Sequence, residues 1–448
     1  MTTATIRWML ALAWLCLPTA GHADLLLAGR LTTTGAGLEL EGGAETPSVS
    51  PDGRYVAFVS DSDNLGLPFN GSSNVYRYDL LTDTYDLATA AIGTGNSYAP
   101  SISEEGLAVA FQSEANDLAS GTPSNVTDVF YSVANAEGPG VTFDTYLVSE
   151  GIGGVAPNGS SQNASISADG RWVVFQSNAS NLVAGDSNGQ PDIFIADAND
   201  LFATPQRVSV IGAGTQIEGP SRALSSQAIS GDGRYVAFAV DTPISIDGSN
   251  AGTLEDVFVR DRQTGTTELV SKSTAGVAGT SSSDMAAISQ SGRFVVFRSF
   301  SSLVASPTGS RIYLRDRQAG TTTNMALPPD VSSCEDPLVS DAGDILAQCS
   351  PFTGSPQVYL QQASDGSLFR LSTTPGDTAG NAISGNVMGI SANGRIMVFD
   401  SDASDLVQGD MNSSPDVFVV VPEPGAASVG LAAVAALVGV ARRRTSSR

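Results

Sequence analysis

The 448-residue chain carries 46 acidic against 22 basic residues, a formal net charge of −24, which excludes an electrostatic grip on nucleic acid or anionic lipid headgroups and favours cations. Its one histidine is His22, so removal of the leader described next excludes Ser-His-Asp and Cys-His nucleophile systems and every histidine-ligated metal. With 47 glycines and 15% charged residues it reads as globular and rich in turns.

Residues 1–23 carry Arg7, an apolar run from Trp8 to Leu17, and the small-residue end Gly21-His22-Ala23. That pattern predicts a secretory leader cut after Ala23, and hence an exported protein. Without the two terminal segments, residues 24–421 hold 17 basic and 45 acidic residues, a net charge of −28. Leu25–Thr33 follows as an apolar strand. Its Arg30-Leu31-Thr32 repeats the text of Arg207-Val208-Ser209 and Arg370-Leu371-Ser372.

From Ser48 onward one hairpin recurs seven times. Ala228–Phe238 is the clearest copy: a short strand, an Asp-Gly turn, then an apolar and aromatic strand. Glycine supplies the positive φ that such turns need. The turn glycines are Gly53, Gly106, Gly170, Gly233, Gly292, Gly343 and Gly394. Each hairpin is followed by a third strand (Asn74–Asp79, Asp128–Ser132, Asp192–Asp197, Asp256–Asp261, Arg311–Asp316, Gln357–Gln361, Asp416–Val420). In the first six repeats a fourth strand follows, at Thr84–Ala88, Thr145–Ser149, Gln206–Val210, Thr267–Ser271, Thr322–Ala326 and Leu368–Ser372. The seventh lacks one because Val420 runs into Pro422, and Leu25–Thr33 is the matching piece. The expectation is an all-β, seven-bladed β-propeller of four-stranded antiparallel blades spanning 24–421, its ring closed by the N-terminal strand.

The core Ser50-Pro51-Asp52-Gly53-Arg54, repeated at Ser167–Arg171 and Ser230–Arg234, resembles the WD40-like PD40 repeat of TolB-type propellers. The resemblance implies the propeller fold and leaves function open, since such propellers serve as binding platforms and as enzyme domains. The recurrent Arg54, Arg171, Arg234, Arg293 and Arg395 are expected to pair with third-strand carboxylates such as Asp79, Asp197 and Asp261. Tyr55, Trp172, Tyr235 and Phe294, one residue further on, are expected to pack between blades.

Two loops entering third strands share the spacing Asp-x-Asn-x-x-x-Asp: Asp186, Asn188, Asp192 and Asp410, Asn412, Asp416. Such oxygens suit calcium, and the same residues also build Asx turns unaided. Cys334 and Cys349 flank the sixth hairpin at near-symmetric distances from its turn. In an oxidising compartment they are expected to form a disulfide stapling that blade, with two buried thiols the alternative.

At the C-terminus, Pro422-Glu423-Pro424 precedes a seventeen-residue apolar run and Arg442-Arg443-Arg444. This tripartite end resembles the PEP-CTERM sorting signal, which implies a transient inner-membrane helix and an exosortase-type processing partner. An ordinary anchor is the plainer reading. The sequence thus points to an exported, non-enzymatic binding or scaffold protein of the cell surface or extracellular matrix, with a polysaccharide or another exported protein as partner. The alternative is a histidine-free hydrolase or lyase using carboxylates at the central channel, with or without calcium.

Overall fold

The computed structural model describes residues 25–422 apart from the segments 33–38, 90–93, 120–125, 139, 201–202, 213, 224, 242–244, 247–248, 251–253 and 306–310. Ala23, Glu423, Pro424, Arg442, Arg443 and Arg444 lie outside the described residues. Among the described residues no helix is long and apolar enough to cross a membrane.

Seven four-stranded antiparallel sheets form the blades of a β-propeller. Blade 1 is Ala44–Val49, Tyr55–Ser60, Asn74–Asp79 and Thr84–Leu87; blade 2 is Ser97–Ile102, Ala108–Ser113, Asp128–Ala134 and Phe143–Leu147. Blade 3 is Ser161–Ile166, Trp172–Ser177, Asp192–Asp197 and Gln206–Arg207; blade 4 is Ser221–Arg222, Tyr235–Val240, Asp256–Asp261 and Thr266–Leu269. Blade 5 is Ser283–Ile288, Phe294–Ser299, Arg311–Asp316 and Thr321–Asn324; blade 6 is Val331–Val339, Ile345–Pro351, Gln357–Gln361 and Leu368–Arg370. Blade 7 is Ser384–Ile390, Met397–Ser401 and Asp416–Pro422, completed by Leu25–Arg30. That N-terminal strand pairs with the last one from Leu25↔Pro422 to Arg30↔Phe418, so the ring closes as the missing fourth strand requires.

The repeat text dictates three layers of contact. Inside a blade, aromatic side chains on the second and third strands lie directly opposite and stack, as in Phe111–Phe130, Phe175–Phe194 and Phe399–Phe418, at 5.6–5.9 Å between centroids. Blade 6 has Ala347 opposite Tyr359 instead. At the turn end, Arg54, Arg171, Arg234 and Arg293 reach Asp79, Asp197, Asp261 and Asp316 at 2.6–2.7 Å. Each guanidinium lies 4.6–4.7 Å over the following aromatic ring. Between blades, those rings cover the next blade's turn glycine: Tyr55 on Gly106, Trp172 on Gly233, Tyr235 on Gly292 and Phe294 on Gly343. The glycine therefore has two reasons to be glycine, its φ near +71° at Gly233 and the ring against it.

The fourth strands end about two residues earlier than expected. A hydroxyl takes over the last rung: Ser149, Ser209 and Ser271 donate to Asp128, Asp192 and Asp256 at 2.6–3.0 Å. The amide of the next third-strand residue donates back to the same hydroxyl at 3.1 Å. In blade 6 this carboxylate is replaced by Gln357, bound by Ser372 at 2.7 Å.

Two predictions follow from these contacts. A Cβ on Gly233 would lie 2.1 Å from Trp172 Cδ1, so Gly233→Ala should destabilise the protein by about 3 kcal/mol or more through clash and left-handed backbone together. Trp172→Ala should add much less in that background than alone, and additive losses in urea melts would refute the contact. Burial, only partly offset by the Ser149 bond, pushes the Asp128 carboxyl up to about 6. Its contribution is complete below about pH 4 and is lost as pH rises through 6. Asp128→Asn should therefore melt higher than the parent at pH 7, by about 2–4 °C, and level with it at pH 4.

Candidate functional site

The two Asp-x-Asn loops lie on the face opposite the Asp-Gly turns, and each is built around an arginine from a fourth strand. Arg207 reaches Asp192 at 3.2 Å and Asp186 at 3.4 Å. Gln216 donates to both carboxylates at 2.9 and 3.0 Å. In blade 7, Arg30 Nη1 contacts Glu39 at 2.6 Å, Asp416 at 3.0 Å and Asp410 at 3.8 Å. The asparagines face elsewhere. Asn188 and Asn412 donate to the carbonyls of Ile217 and Leu40 at 2.8 Å, and their Oδ1 atoms accept the amides of Gln190 and Ser414 in Asx turns.

The calcium set read from the spacing is therefore not the set that converges. Asn188 and Asn412 are loop-builders, and in each cluster a guanidinium supplies the positive charge among the carboxylates. Among the described residues, the group of carboxylates whose oxygens lie within 4.8 Å of one another is Glu39, Asp410 and Asp416. Glu39 escaped notice because it is far from Asp410 in sequence and arrives only through ring closure. Burial, reinforced by the bond shared with Glu39, pushes Asp410 up to about 6.

Cys334 and Cys349 are directly opposed and joined, with Cα atoms 4.0 Å apart. They lie at the end of the hairpin away from the degenerate turn, so the crosslink braces the loop face. Past it, blade 6 alone among the inner hairpins continues, through Ser333↔Ser350 and Val331↔Pro351, and Phe352 at its tip is 72% exposed.

The central channel holds the feature that the sequence reading missed. Inner strands bulge at their third residue, where Thr46, Ala99, Asn163, Met285 and Asp336 take φ of +46° to +58°. This register shift recurs in each of those five blades. Left-handed backbone on non-glycine residues costs of order 1–3 kcal/mol each, here directed at the channel.

Blade 4 departs from the pattern. From Ser221 to Gly233 is twelve positions, against nine from Ser97 to Gly106, Ser161 to Gly170 or Ser283 to Gly292. The surplus pulls the inner strand apart, leaving Ser221–Arg222 and a single bridge at Ile229↔Val236 where a regular strand through Ala228-Ile229-Ser230 was expected. The released segment crosses the channel. The Ser226 carbonyl accepts from Ser165 at 2.8 Å and Ser101 at 3.3 Å. Gln227 donates to the Ile390 carbonyl at 3.3 Å and accepts from the Val339 amide at 3.1 Å, while the Ile288 amide donates to the Gln227 carbonyl at 2.9 Å. One segment thus ties blades 2, 3, 5, 6 and 7. The twelve-residue interval was the available signal.

Ser225 and Ser226 form one wall of a hollow of about 80 Å³, completed by residues that include Met285, Asp336, Asn386 and Met388. Asp336 is the one carboxylate in this lining, pushed up to about 6 by burial and then by neighbouring Glu335. Arg298 is held beside it by Asp284 at 2.6 Å and Glu335 at 3.1 Å.

Arg30→Met leaves Glu39, Asp410 and Asp416 facing one another. It should lower the melting temperature by several degrees at pH 7 and by less at pH 5, where a carboxyl titrating near 6 is protonated. A saturable, calcium-induced rise in the melting temperature of the unaltered protein would overturn the assignment of the positive charge to arginine.

No family model and no curated protein matches the chain. Among solved structures it is similar to an oligogalacturonate lyase from Vibrio parahaemolyticus, at 13% identity, covering 91% of this chain and 95% of that one, TM-score 0.51. It is also similar to an oligogalacturonate lyase in complex with manganese, at 13% identity, 90% and 96% coverage, TM-score 0.52. TolB from Acinetobacter baumannii matches at 12% identity, 87% and 81% coverage, TM-score 0.38. At these identities the common ground is the β-propeller fold.

Proposed function

We propose that the chain is an exported propeller that binds a partner without transforming it, its ring a rigid platform at the cell surface or in an extracellular matrix. The observation that carries this reading is the segment Ser225–Gln227, which bonds to blades 2, 3, 5, 6 and 7 at the axial position where carboxylates would gather around a substrate. The hollow beside it measures about 80 Å³, well below the roughly 300 Å³ at which small-molecule pockets begin. The clustered carboxylates of the Asp-x-Asn loops are engaged with Arg30 and Arg207. The segments 1–23 and 422–448 fit this role as a secretory leader and a PEP-CTERM-type sorting signal, with exosortase-type machinery as the processing partner. No nucleic acid is expected as partner, and membrane contact is confined to the C-terminal segment before processing.

The rival reading, a lyase acting on an acidic polysaccharide, is separable by one experiment. The purified protein is incubated with polygalacturonate, with and without manganese or calcium, while ultraviolet absorbance of unsaturated uronate products is followed and retention of the polymer is measured by co-sedimentation. The expected result is no turnover under any condition. Metal-dependent product formation would overturn the proposal.

A further inference from the structure

The two faces of the ring differ in kind. Inner strands run from the loop face to the Asp-Gly turns, and third strands run the same way, since Tyr55, just past a turn, pairs with Asp79 at a third-strand end. Leu25 and Pro422, which pair, therefore lie at the turn face. That face carries the Arg–Asp pairs. Of the eleven exposed large apolar side chains among the described residues, nine belong to loops of the opposite face: Phe69, Ile152, Val155, Leu254, Val277, Phe300, Phe352, Ile383 and Met411. Scattered exposed apolar residues need no explanation, but segregation to one face does.

The hollow belongs to this face. Ser226 and Gln227 meet the inner strands close to the turns, at Ser101 and Ser165, five residues before their turn glycines, and at Val339, four before Gly343. Met285 and Asp336 stand seven residues before theirs, nearer the loops. Asp336 lines the hollow; Asp284 and Glu335 adjoin the lining residues Met285 and Asp336 in sequence, and the crosslinked hairpin that holds Asp336 carries Phe352 at its loop end. Arg298, already bound to Asp284 and Glu335, is the cation among them, with its guanidinium 5.3 Å over Phe300. The quarter is thus acidic with aromatic side chains, while the body as a whole repels polyanions.

We infer that the loop face beside blades 5 and 6 docks a basic polypeptide segment of an exported partner, its lysine or arginine directed at Asp336 and an apolar residue further along the segment packed on Phe352. Charge complementarity selects this occupant over an acidic polysaccharide. The hollow has room for the end of one long side chain, and the exposed aromatic at the end of the same hairpin offers the apolar contact in which binding surfaces are enriched. The inference rests on the binding reading above and names its partner class.

The test uses the full chain as exported and a fluorescent, amidated peptide of alternating lysine and leucine, read by anisotropy at physiological salt, with a glutamate–leucine peptide as control. Asp336→Asn keeps a residue that tolerates left-handed backbone. Phe352→Ser changes an exposed tip and no charge. Each should weaken binding at least five-fold, Phe352→Ser with an unchanged melting temperature and Asp336→Asn with an unchanged or raised one, since burial already disfavours the Asp336 charge; Leu81→Ser, on the turn face, should leave binding unchanged. A peptide held equally by all variants would show diffuse attraction to an acidic protein and overturn the inference. So would equal binding of the glutamate–leucine peptide, binding of polygalacturonate in its place, or no binding. Turnover of polygalacturonate, in contrast, would remove the binding reading itself.

Discussion

Everything in this molecule depends on a ring that has to close. No blade is self-sufficient: the side chain that follows each turn, an aromatic ring in four blades, packs on the next blade's turn glycine, so each interface is finished by its neighbour. Around the circuit the slot over the turn glycine is filled by Tyr55, Ala108, Trp172, Tyr235, Phe294 and Asp344. Across the seam Ile396 of blade 7 fills it against Gly53 of blade 1. The strand Leu25–Arg30 makes that last contact possible by giving blade 7 its outer edge. Seven similar wedges would otherwise leave two open sheet edges, a standing template for self-association.

The seam also explains the electrostatics of the loop face. Arg30 arrives with the closing strand and is met by Asp416 and Asp410 from one end of the chain and Glu39 from the other. Arg207 plays the same part in blade 3 with two carboxylates. An acidic protein thus spends several of its few arginines on carboxylates inside its blades, which leaves fewer of them to face a partner. On the proposed reading, a partner meets that surface chiefly through carboxylates and the apolar loop residues between them.

The repeat was legible because its requirements are local. Asp-Gly turns, alternating strands and the Arg–Asp spacing recur whole, and the missing fourth strand could be matched by text to Arg30-Leu31-Thr32. The Cys334 and Cys349 positions could be placed opposite each other from their distances to one turn. What the sequence concealed was long-range or lay in deviations from the repeat. Asp-x-Asn-x-x-x-Asp looks like a metal loop until a fourth-strand arginine, about twenty residues away at Arg207 or across the whole chain at Arg30, is seen between the carboxylates. The channel plug was hidden in three surplus residues before Ala228. A spacing count registers such residues as noise unless each copy is aligned from its first serine.

The pairing of Leu25 with Pro422 has a consequence for how the chain comes to be whole. The first strand of the ring to be made is the partner of the last, so its hydrogen-bonding edge stays vacant through the synthesis of six complete blades. Long-range pairings of this kind are slow to form, and here the slowness is also an inspection. A chain cut short anywhere before Asp416 keeps an orphaned first strand and an open flank on its final blade. Only a chain that reaches the strand Asp416–Pro422 can conceal both.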